Sequence, residues 1–100
     1  MLTIRKQIEG AEALVALEGR LDTITAPQLE TELRGMMPEL KTLTLDFAML
    51  DYISSAGLRV LLIAQKNMAR QGTLKLVHVN ETIMEILEVT GFSDILDIER

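Results

Sequence analysis

The chain has 100 residues, 48% of them hydrophobic, and a formal net charge of −5. That supplies enough apolar material for one domain over residues 1–100 with a core that needs no cross-link. The absence of cysteine excludes disulfides, thiolate metal sites and a cysteine nucleophile. The acidic balance argues against general nucleic-acid binding, which needs a basic face to release counterions, and suits a partner with a basic surface. No apolar run approaches the roughly 18 residues of a membrane span. The start, Met1-Leu2-Thr3-Ile4-Arg5-Lys6, lacks the apolar core of a signal peptide. The expectation is a soluble, cytoplasmic protein with no direct membrane insertion.

Thr3 to Gln7 reads as a short strand, and Glu9 to Glu12 as a turn. Ala13 to Glu18 follows with apolar residues on both faces, as in an interior strand. The two should form an antiparallel hairpin with a loop of about four residues. Gly19 to Thr25 reads as a loop leading into a helix, with Thr25 as N-cap and Pro27 in the first turn. Ala26, Leu29, Leu33, Met36 and Met37 give that helix one apolar stripe, and Pro38 ends it.

Thr42 to Phe47 alternates strictly, with Leu43, Leu45 and Phe47 facing inward. A loop from Ala48 to Ile53 then leads to a strongly apolar helix from Ser55 to Arg70, with Gly72 as its C-terminal cap. Leu74 to Val79 is the next strand and contains the lone His78. Asn80 caps a helix from Glu81 to Val89 that Gly91 stops, and Ile95 to Ile98 can add a short edge strand. Strands joined through helices should be parallel with right-handed crossovers. The predicted fold class is therefore α/β: a mixed sheet of four to five strands, an N-terminal hairpin and three main helices largely on one face. The opposite face would carry Leu14, Ala16 and Ile4, an apolar patch open to self-association, so a monomer or weak homodimer is expected.

The sequence holds no G-x-S-x-G, no Walker loop and no dinucleotide fingerprint, and no His or carboxylate cluster has metal-ligand spacing. No catalytic residue, metal or cofactor is therefore expected, and the chain is read as a non-enzyme. The informative stretch is Leu50 to Leu58, where two adjacent serines sit at the start of a helix. A helix start leaves four backbone N–H groups unpartnered and carries about half a positive charge, so it suits an anion attached there.

Three segments stand out together: Leu17-Glu18-Gly19-Arg20-Leu21-Asp22 with Thr25 after it, the run from Leu45 to Leu62, and Val89-Thr90-Gly91-Phe92. They resemble the STAS domains of anti-sigma factor antagonists. The resemblance covers essentially the whole chain. It implies a phosphorylation switch: the unphosphorylated protein binds an anti-sigma factor that is also a serine kinase, and so frees a sigma factor. Phosphorylation of one serine abolishes binding, and a PP2C-type phosphatase restores it. The family pattern places Ser55 at the phosphorylated position, with Ser54 as the alternative, and Asp22 beside it. Partner contacts fall by the same resemblance on Asp22, Thr25, Ser54, Ser55 and Gly57, with Tyr52 and Arg59 flanking the switch. The chain departs from the family pattern at Ser54, where an acidic residue is common, at Ala56, where a small hydroxyl residue is common, and at Arg59, where glycine is common. Two other readings fit the same resemblance: a constitutive adaptor subunit of a membrane transporter complex, and a STAS regulator of a different signalling output.

Overall fold

The computed structural model describes all 100 residues. Strands β1 (Leu2–Glu9) and β2 (Glu12–Leu21) form the antiparallel hairpin. Then follow helix α1 (Ala26–Met36), strand β3 (Thr42–Ile53), helix α2 (Ser55–Ala69), strand β4 (Thr73–Val77), helix α3 (Glu81–Val89) and the two-residue strand β5 (Asp97–Ile98). The five strands lie side by side in chain order, and every pair after the hairpin is parallel. Each crossover steps to the next neighbour in the same direction. With right-handed connections, that places all three helices on one face.

The inward face is apolar throughout. Val15, Leu17, Leu43, Leu45, Phe47 and Leu76 meet Leu29, Leu33, Leu61, Ala64, Ile83 and Leu87 from the helices, all of them at most 1% exposed. Each such leucine contributes about 1.5–3 kcal/mol by leaving water. Met36, Met37 and Met68 belong to the same core.

Several local readings are corrected. The hairpin loop is two residues, Gly10 and Ala11, with Gly10 at φ +60°. β2 continues through Gly19-Arg20-Leu21, and β3 continues through the expected loop Ala48 to Ile53. The ladder between them slips at Ala16/Glu18 and again at Gly19/Arg20, so β3 carries extra residues. Its inward positions become Phe47, Leu50 and Ile53, three apart rather than two, and alternation disappears from the sequence.

β4 ends at Val77, and His78 lies outside it at φ +56°. Gly72 is no C-terminal cap: Arg70 takes that position, and a Cβ on Gly72 would fall 1.9 Å from the Lys41 carbonyl oxygen. Its role is to let two backbones pass closely. Gly91 does stop α3, in the left-handed region at φ +83°.

Ile4 is corrected as well. It pairs with Leu17 across the hairpin and so shares the helix-covered face. The open face pairs Leu14 with Gln7 and Thr44, and Ala16 with Arg5 and Asp46. It is mixed in polarity, not an apolar patch.

Candidate functional site

β2 and β3 run parallel and end together, with Arg20 beside Tyr52 and Leu21 beside Ile53. The Ser54 N–H donates to the Leu21 carbonyl at 2.9 Å, which ties the end of β2 to the residue before α2. Gly57 sits over this joint and is buried. A Cβ there would come within 2.8 Å of both Ile53 Cγ1 and Leu21 Cγ. Only glycine lets the first turn of α2 settle so close to the strand ends.

The two serines are not equivalent. Ser54 is the N-cap, extended at φ −99° and ψ 176°, and its Oγ accepts the Gly57 N–H at 3.4 Å. It is half-buried, whereas Ser55, the first residue of α2, is exposed. Ser55 therefore presents its hydroxyl to solvent at the positive end of a 15-residue helix.

Asp22 closes the turn into α1. Its Oδ1 accepts the N–H groups of Ile24 and Thr25, each at 3.0 Å. Thr25 is not the side-chain cap expected of it. It is 7% exposed, and its hydroxyl accepts the Asp22 N–H at 2.9 Å. The single hydroxyl proton reaches the Arg20 carbonyl at 2.8 Å and Asp22 Oδ1 at 3.1 Å. Thr25 thus holds the loop from inside. The N–H of Thr25 holds the Asp22 carboxyl below the usual carboxylate range. Desolvation opposes the shift, and the Thr25 hydroxyl, the Ile24 N–H and the N-terminal amino group reinforce it. Asp22 stays ionised, one residue beyond Leu21, whose carbonyl accepts the Ser54 N–H.

Arg20 lies over the Tyr52 ring, 4.4 Å from its centroid, with Nε 3.9 Å from Asp22 Oδ2. Its charge is shared between an aromatic face and a carboxylate. Arg59 is exposed on α2, one turn beyond Ser55, and makes no ion pair. The sequence reading missed Ile24 and Met49, which are 86% and 58% exposed. The first follows Asp22 by two residues, and the second lies in the bulged half of β3. A large apolar residue in an otherwise polar turn was the available signal for Ile24. Four surface depressions lie away from the serines, for example between Gln7, Leu14 and Thr44 on the open sheet face and between Arg34, Met37 and Gln71. Neither serine lines any of these four depressions.

The family model described as "Mlab, STAS domain" matches residues 4–97. BtrV, a candidate anti-sigma factor antagonist of Bordetella bronchiseptica, is 37% identical over 87 residues, spanning 85% of this chain and 75% of its own. The anti-sigma-B factor antagonist of Bacillus subtilis is 31% identical over 85 residues, spanning 84% of this chain and 78% of its own. Both are named as antagonists of another protein, not as enzymes.

Among solved structures, an anti-sigma factor antagonist from Mycobacterium paratuberculosis superposes with a TM-score of 0.90 at 18% identity, over 99% of this chain and 86% of that one. The Bacillus cell fate determinant SpoIIAA in its phosphorylated form superposes at 0.76 and 16% identity, over 96% and 90%. At those identities the structures speak for the fold, while the sequence matches speak for descent. No helix is long and apolar enough to cross a membrane. With residues 4–97 matched by the family model and curated relatives above 30% identity across most of their length, the chain belongs to the STAS-domain family.

Proposed function

We propose that this protein is an anti-sigma factor antagonist worked by phosphorylation of Ser55. Its unphosphorylated form binds an anti-sigma factor that is also a serine kinase, in the cytoplasm, and so releases a sigma factor. Phosphate on Ser55 ends the binding, and a PP2C-type phosphatase restores it. The relatives' names support the antagonist role. The observation that carries the switch is the unequal pair of serines: Ser54 is spent on the cap, and Ser55 stands exposed at the start of α2.

A phosphate adds about −1.5 to −2 charges and three acceptor oxygens. On an exposed rim residue those act chiefly on the partner, by repulsion and desolvation, and leave the fold in place. Asp22, Tyr52, Ser55 and Arg59 supply the contact surface. Thr25, Ser54 and Gly57 hold the backbone that presents it.

The test is site-resolved mass spectrometry of the protein recovered from its native cell with whatever accompanies it. Phosphate on Ser55 together with an ATP-binding kinase supports the switch. Phosphate on Ser54 would reassign the acceptor. No phosphate under any growth condition, with a membrane complex retained instead, would replace the switch with a constitutive adaptor.

A further inference from the structure

Ser55 and Arg59 lie four residues apart in α2, and both are exposed. That separation places them one above the other on the same helix face. The order is also favourable, with the position for a negative group N-terminal to the cation. Arg59 makes no ion pair, whereas Arg20 is already held between Tyr52 and Asp22. The only opposing charge in contact with Arg20 is the Asp22 carboxylate, and the turn amides fix that carboxylate in place.

We propose that Arg59 is the internal receptor of a phosphate on Ser55: once the serine is phosphorylated, the guanidinium turns back along α2 and binds it. The inference rests on the phosphoserine reading above and adds a residue and a mechanism to it. A guanidinium offers two parallel N–H donors to a phosphate, a geometry that an ammonium lacks. The unpartnered N–H groups at the start of α2 add a favourable field.

The consequence concerns the partner surface. Arg59 has two mutually exclusive uses, contact with the partner when Ser55 is free and contact with the phosphate when it is not. Phosphorylation therefore adds an anion to the rim and also withdraws a cation from it.

The test places phosphoserine at position 55 during synthesis by genetic encoding, so no cellular kinase is needed. Phosphorus NMR titration then reads the second ionisation of the phosphate, ordinarily near 6. Charged groups around the rim are Asp22, Arg20 and the N-terminal amino group near the end of β2, Asp51 on β3 and Arg59 on α2. In the parent the ionisation should fall below that of free phosphoserine. Arg59→Gln should raise it by roughly half a unit, and Arg59→Lys should keep part of the difference. The Arg59 Nε–H resonance should move with the same titration.

Arg59→Gln indistinguishable from the parent would overturn the proposal. So would a shift produced by Arg20→Gln while Arg59→Gln stays silent, which would assign the phosphate to β2. The substitutions are on the surface, so folding is not at stake. A cell lacking the kinase would refute the switch and leave this coupling measurable, while an unmoved titration would refute the coupling and leave the switch standing.

Discussion

The Leu21 carbonyl accepts the Ser54 N–H at 2.9 Å, across the ends of two parallel strands. This bond joins the strand end that carries Asp22 to the residue that starts α2. It brings the residue before Asp22 against Ser54, although some 30 residues separate them in the chain. Its donor and acceptor are backbone atoms, so substituting the Ser54 side chain leaves it intact.

Ser54→Ala therefore isolates the cap. The lost bond is long, 3.4 Å from Gly57 N to Oγ, so the cost belongs at the lower part of the range for caps, about 0.5–1 kcal/mol. For a domain of this size that lowers Tm by roughly 2–8 °C. Ser55→Ala removes an exposed hydroxyl at a position where alanine is a good helix former, and Tm should hold or rise slightly. Thermal melts of the two variants check the division of labour between the serines. Equal losses would contradict it.

Ser55→Asp should weaken binding to the cognate anti-sigma factor at least tenfold, about 1.4 kcal/mol, with little change in Tm. A carboxylate at the first helical position is favoured by the helix field by roughly 0.3–1 kcal/mol, so the fold does not resist it. Calorimetric titration beside a melt reads both quantities. An aspartate variant that binds as tightly as the parent would separate Ser55 from the switch.

Asp22 gives a prediction in pH. Its folded-state ionisation lies below the usual carboxylate value of about 3.9. A depressed carboxylate contributes stability above the unfolded value and loses it as pH falls through the folded one. The Tm difference between the parent and Asp22→Asn should thus be fully present at pH 5 and above. It should shrink as pH falls below about 4. Asp46 is shifted in the same direction. Desolvation raises it, but hydrogen bonds from Ala48 and His78 outweigh that, so Asp46 shares the acid window and must be left in place in both proteins. A difference that stays constant from pH 7 to pH 3 would mean that Asp22 acts through its shape and not its charge.

What could be read in the sequence was whatever is encoded within a few residues. Asn80 caps α3, with its Oδ1 accepting the Ile83 N–H at 2.9 Å, because an asparagine before an apolar helical stripe has one good use. Gly91 follows the same logic at the other end. The helix over Ser55–Ala69 and the candidate serines were equally visible, and the resemblance supplied the link to Asp22.

The features that could not be read are those that neighbours impose. β3 beyond Phe47 looks like a loop because its bulges respace the inward residues to every third position. Gly72 mimics a cap, but its requirement comes from Lys41, 31 residues away. Ile4 faces the helices because the hairpin sets it opposite the buried Leu17. Thr25 looks like a cap, but Asp22 does the capping, and the hydroxyl turns inward.

Gly57 is where the fold and the candidate site meet, and Gly57→Ala tests both. Alanine in place of glycine inside a helix gains up to about 1 kcal/mol from propensity. Against that, the new methyl meets Leu21 Cγ and Ile53 Cγ1 at 2.8 Å. Both atoms are branch or mid-chain carbons of fully buried side chains, so neither can swing aside. Overpacking of this kind costs about 1–3 kcal/mol. The variant should come out less stable than the parent by roughly 1–2 kcal/mol, a Tm loss of about 4–16 °C. The relief available to the protein is to lift the first turn of α2 off the strand ends, which moves Ser54 and Ser55 away from Leu21 and Asp22. Hydrogen exchange at the Ser54 amide reads that movement directly: its protection should drop more than that of Leu45 in the sheet centre. A Gly57→Ala protein with parental Tm and a protected Ser54 amide would show that the joint has slack, and that glycine is not needed to seat the serine rim.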